Sequence, residues 1–112
     1  MNSKDLIILR KIIQYSEEIE QTLLRFNNDY NTFVNDFVYK NAVSMCILQI
    51  GELVGNLSDE FKNNYQVMPW RDIKAMRNIA AHNYGEIDID ILWETATNDI
   101  IQLKNFCVQF IM

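Results

Sequence analysis

Proline occurs once in this sequence, histidine once, cysteine twice and glycine three times, in a chain of 112 residues. So few breakers leave long stretches uninterrupted, and the apolar residues within them recur at three- and four-residue steps rather than alternating. The expected class is therefore all-α. Cys46 and Cys107 each fall on an apolar helical stripe, with no Cys-x-x-Cys and no histidine close by, so they read as core residues. One histidine and scattered carboxylates do not make a metal site. No window holds eighteen uninterrupted apolar residues, and Met1-Asn2-Ser3-Lys4-Asp5 does not open a secretory leader, so the chain is expected to be soluble and cytoplasmic. Positive charge is also scarce. Ten Lys and Arg against fifteen Asp and Glu give a net charge of −5. Binding of nucleic acid by a broadly basic surface is excluded, and any contact with RNA needs a local basic pocket, or a dimer groove concentrating Arg71, Lys74 and Arg77.

What is present suits one folded domain, residues 1–112. Hydrophobic residues make up 49% and charged residues 22%, enough apolar surface for a core. A first helix is expected from Lys4 to about Phe26, capped by Ser3, with Ile8, Ile12, Tyr15, Ile19, Leu23 and Phe26 along its inner face. Asn27-Asn28-Asp29 interrupts it, and a short helical turn around Tyr30–Val34 follows. A second long helix runs from about Asp36 to Leu57 and is apolar around most of its circumference, which places it centrally. Gly51 and Gly55 bare one strip of this helix to a close neighbour. Glu52 lies between them; Arg77 is one candidate partner for it, and an exposed edge position is the other reading. Ser58-Asp59-Glu60-Phe61 starts another short turn. After Gly85, Asp88 or Asp90 can cap a final helix reaching Phe110, with Ile89, Trp93, Ala96, Ile100, Leu103, Cys107 and Phe110 as its stripe. The sum is a bundle of four main helices plus one or two short ones.

The segment from Pro69 to Gly85 stands apart. It reads as a helix with proline at its first position and glycine just past its end. Arg77, His82 and Tyr84 crowd its last turns, where the helix dipole favours a cation and biases His82 toward its protonated form. A lone histidine there also serves simply as a cap. On a regular helix Arg77 and His82 point about 140° apart, whereas Arg77 and Tyr84 lie within about 20°. One helix cannot easily aim Arg77 and His82 at the same atom.

Arg77, four residues, His82, one residue and Tyr84 resemble the signature of HEPN-domain toxins of the HepT type. The flanks agree: Ile50-Gly51-Glu52, Pro69-Trp70, Ile87-Asp88 and Leu92-Trp93-Glu94. The similarity spans about Phe33 to Asp99. An Arg-x-x-x-x-His alone is a weak signal, but the ordered set is specific. The resemblance implies an all-α HEPN-type bundle, a metal-independent ribonuclease toxin without a cofactor, and a homodimer with the motifs near its cleft. It also implies a cognate minimal nucleotidyltransferase antitoxin that, in part of the family, transfers AMP to the motif tyrosine. Carried over, the catalytic roles fall on Arg77 and His82, a supporting role on Asn78, and the modification on Tyr84.

These residue types suit the chemistry. Cleavage of RNA through its own 2′-OH needs proton transfer, which His performs near pH 7, and positive charge on the transition state, which Arg supplies. Two other classes compete: a non-catalytic helical module that binds a nucleotidyltransferase or a nucleotide, and a structural bundle in which Arg77, His82 and Tyr84 only cap and pack.

Overall fold

The computed structural model describes residues 1–81 and 89–111. Its elements are α1 (Ser3–Arg25), α2 (Tyr30–Asn35), α3 (Phe37–Gly55), α4 (Asp59–Asn64), α5 (Trp70–Ala81), α6 (Ile89–Glu94), a π-helical turn (Thr95–Asp99) and α7 (Ile100–Val108). The all-α expectation holds, and no described strand interrupts it. No described helix is long and apolar enough to cross a membrane.

The first four helices each start where a short polar side chain meets free backbone N–H groups, because these donors lack partners within the helix. Asn2 accepts from the Asp5 amide at 2.7 Å, so the cap of α1 lies one residue before the expected Ser3. Asp29 accepts from both the amide and the hydroxyl of Thr32, which holds its carboxyl below the usual range. Asp36 caps α3 and Ser58 caps α4. Between α1 and α2, Asn27 and Asn28 take φ of 60° and 52°, the left-handed region that Asn tolerates better than most residues.

α3 is the central element, packed against α1 on one side and α5 on the other, while α7 packs on α1. Tyr39, Val43, Ile47, Ile50 and Val54 of α3 are buried with Leu9, Ile12 and Ile19 of α1 and Ile100, Leu103 and Cys107 of α7. Both cysteines are buried free thiols. Two aromatic clusters close the ends of α3. Phe26, Phe33, Tyr39 and Trp93 surround its start, with Phe26 stacked on Tyr39 at 4.3 Å. Phe61, Tyr65, Trp70, Phe106 and Phe110 gather beyond its end.

Two features depart from the expected pattern. The final helix is not uniformly α-helical: the π turn at Thr95–Asp99 inserts a residue and shifts the buried set to Leu92, Thr95, Ala96, Ile100 and Leu103. Asp5, in the first turn of α1 and not foreseen as buried, is 1% exposed and accepts from the Ser58 amide at 2.9 Å and the Ser58 hydroxyl at 2.6 Å. It pins the start of α1 to the start of α4 and so satisfies its own buried charge.

Candidate active site

The motif helix α5 is fixed at its start by Trp70. The indole N–H donates to the Tyr65 carbonyl at 3.0 Å, and the ring packs against Phe61 and Phe106. Pro69 falls just outside the helix rather than at its first position, with its carbonyl accepting from the Ile73 amide at 3.0 Å. Ile73 and Met76, three apart, are the buried residues of the inner face among the described side chains. Their neighbours Arg71, Asp72, Lys74, Ala75, Arg77 and Asn78 are left outside.

One turn further, α5 meets α3 at Gly51. A methyl group there would lie 2.8 Å from Arg77 Cβ and 2.9 Å from Arg77 N. The missing side chain of Gly51 is therefore what lets the backbone of Arg77 approach α3. Gly55 faces only the stem of Lys74, at 3.4 Å from Cε. The pair expected to bare one strip does so, but only Gly51 is required by contact.

Glu52, next to Gly51, accepts from Arg77 Nε. The two sequence alternatives for Glu52 are thus both true, since it pairs with Arg77 and yet stays on an exposed edge, the two side chains being 48% and 49% exposed. Such an exposed pair contributes only about 0–1 kcal/mol to stability. Its larger effect is on direction. An Arg carries five N–H donors in a rigid fork, and binding through Nε leaves the terminal amino groups without a partner among the described residues.

Beside Arg77 lies a shallow groove of about 310 Å³, lined by Arg71, Lys74, Ala75, Arg77 and Asn78. Of the sequence-selected residues, Arg77 and Asn78 come together here, joined by the Arg71 and Lys74 that the sequence marked as a possible basic concentration. His82 and Tyr84, and the angle between Arg77 and His82, lie outside the described residues. The sequence marked Glu52 as a possible partner of Arg77 but gave it no role at the site. Its signals were a carboxylate set in an otherwise apolar helix and its place in the Ile50-Gly51-Glu52 flank.

The arrangement is an oriented guanidinium at the edge of a basic groove, in a chain of net charge −5. It can hold a phosphate and stabilise negative charge developing on it. A family model described as Ribonuclease HepT-like matches residues 12–110. A Thermococcus cleftensis protein named "Probable ribonuclease HepT" is 33% identical over 75 residues, 67% of this chain and 68% of its own length. Two Methanocaldococcus jannaschii proteins named "Putative RNase" are similar as well. One is 32% identical over 76 residues, 68% of this chain and 70% of its own. The other is 31% identical over 98 residues, 86% of this chain and 81% of its own. No solved structure matches the chain. The matched span takes in the whole of α3 and α5, with Gly51, Glu52 and Arg77 inside it, and the chain belongs to the HepT-like ribonuclease family.

Proposed function

We propose that this chain is the toxin of a toxin–antitoxin pair, a metal-independent endoribonuclease that cleaves RNA with Arg77 and His82. The observation that carries the reading is Arg77 itself, packed on Gly51, bonded through Nε to Glu52 and open at its terminal nitrogens beside a basic groove. In this mechanism those nitrogens hold the two non-bridging oxygens of the scissile phosphate. His82 moves the proton: the 2′-OH loses one as its oxygen attacks phosphorus, and the departing 5′ oxygen gains one. Asn78, next along α5, orients the phosphate or the imidazole. The products are a 2′,3′-cyclic phosphate and a 5′-OH.

One histidine per chain cannot be base and acid at once, so the proposed working unit is a homodimer whose cleft joins two motif helices. The outer face of α3 supports this. Val38 and Met45, 57% and 56% exposed, share that face with Glu52 at seven-residue steps, and a second copy would bury them beside the site.

Control is proposed to rest on Tyr84. A cognate nucleotidyltransferase antitoxin transfers AMP from ATP to its phenol, which loses its proton as pyrophosphate leaves, and the new phosphodiester anion engages Arg77 and protonated His82 as a tethered mimic of the RNA backbone. The test is co-expression with that transferase, then intact mass and peptide mapping. The expected result is AMP on Tyr84, loss of cleavage, and a Tyr84→Phe variant that the transferase no longer silences. An adduct at another residue, or full silencing of Tyr84→Phe, would remove this mode of control.

A further inference from the structure

Arg71 and Lys74 pose a question that packing does not answer. Both are exposed on α5, and neither forms an ion pair among the described residues. Arg71 is also the second residue of its helix. There it faces the positive end of the helix dipole, where a cation is destabilising rather than helpful. In a chain with an excess of acidic residues, these two cations stand beside Arg77 without an ion-pair partner among the described residues, in a groove they share with it.

We infer that Arg71 and Lys74 form a track for the backbone of single-stranded RNA, holding phosphates next to the one gripped by Arg77. The inference rests on the ribonuclease reading and extends it from one phosphate to a run of them. Six residues of α-helix place Arg71 about 9 Å along the axis from Arg77, with Lys74 midway. Around the axis, Lys74 lies about 60° from each of the other two. The three cations therefore wind across the groove as an oblique row rather than clustering on one point. Ala75 keeps the floor between them low, and no aromatic side chain lines the groove among the described residues. With three cations, a small apolar residue and an amide as its described lining, the track reads backbone charge and not sequence. Arg71 and Lys74 are positioning residues; contact with the reacting atoms of the RNA is left to Arg77 and His82.

Binding without turnover tests this. The full chain carrying His82→Ala is titrated with fluorescent oligo-U and oligo-A from 50 to 200 mM KCl, with and without Arg71→Gln and Lys74→Gln. Glutamine keeps the helix propensity of both positions, so the fold is retained. Each single-strand phosphate contact contributes about 0.7 to the slope of log affinity against log salt. Losing two should flatten that slope by about 1.4, so the variant's deficit in affinity should shrink about sevenfold across the range. The loss should be equal for both oligonucleotides, and Arg71→Lys should keep most of the slope. A charge-matched control, Arg10→Gln with Lys11→Gln on exposed α1, should leave the slope in place. An unchanged slope in the α5 variant, an equal change in the control, or no RNA binding by the parent protein overturns the track. Cleavage by the wild type with an unchanged slope sinks the track alone. The expected slopes without any cleavage by the wild type sink the ribonuclease reading and leave the track standing.

Discussion

Replacing Gly51 and Gly55 by alanine, one at a time, should move stability in opposite directions. Within a helix, Gly→Ala ordinarily gains about 0.5–1 kcal/mol by restricting the unfolded chain. At Gly51 the added methyl would sit 2.8 Å from Arg77 Cβ and 2.9 Å from Arg77 N. Neither atom can rotate aside, so α5 must shift, and overpacking of this kind costs about 1–3 kcal/mol. The net expectation is a loss of about 1–2 kcal/mol, or a Tm lower by roughly 4–8 °C for a domain of this size. At Gly55 the nearest atom is Lys74 Cε at 3.4 Å, the far end of a flexible side chain. There the gain should survive, reduced to about 0.5 kcal/mol because Gly55 ends its helix. Thermal melts by circular dichroism read both values. Cleavage measured well below the melt reads the second consequence. A displacement of Arg77 approaching 1 Å should cost up to about 10²-fold in rate in Gly51→Ala, with Gly55→Ala close to wild type. A Gly51→Ala protein that melts at or above the wild-type temperature and cleaves at full rate would refute the reasoning.

Two further outcomes follow from the core. The hydroxyl of Tyr39 is buried with no hydrogen-bond partner among the described residues, and burial, aided by the charge of Asp29, raises its pKa; Tyr39→Phe should therefore be neutral or stabilising by about 1 kcal/mol in urea unfolding, and a clear loss would mean the hydroxyl is bonded. Burial pushes the Cys46 thiol up to about 11, with the nearby Glu18 adding to it, and burial alone pushes Cys107 up to about 12. The unfolded chain then loses these protons near pH 9 while the folded chain keeps them, so stability is full below that pH and falls as pH rises toward 11–12. In the folded protein at pH 8 both thiols should react far more slowly with a disulfide reagent than after denaturation, and rapid labelling of the native protein would contradict this.

Much of this architecture was legible in the residue pattern because burial enforces it. The three- and four-residue steps in α1, α3 and α7 are the condition for one face to leave water, and they survive in Ile8, Ile12 and Ile19 or Val43, Ile47 and Ile50. The misses are local or long-range. Asn2 and Ser3 are both good caps, and choosing between them depends on a single φ/ψ pair. The π turn at Thr95–Asp99 has no compositional mark. The burial of Asp5 left no mark in the sequence because its partner, Ser58, is 53 residues away. At the site, spacing implied that a helix would approach Gly51 and Gly55, but not that Arg77 would be the residue in contact. Charge counting offered Arg77 to Glu52 and could not weigh that pair against an exposed Glu52, since an edge position satisfies both.

The central claim is that Arg77 and His82 cleave RNA by moving protons and stabilising charge on phosphorus. Its most direct test is purified wild type beside Arg77→Ala and His82→Ala, each incubated with a labelled single-stranded RNA in excess EDTA, with product ends identified by mass. The account predicts cleavage by the wild type to a 2′,3′-cyclic phosphate and a 5′-OH, and a rate lower by about 10²-fold or more in each folded variant. Full cleavage by either variant, cleavage that EDTA abolishes, or an inert wild type would contradict it.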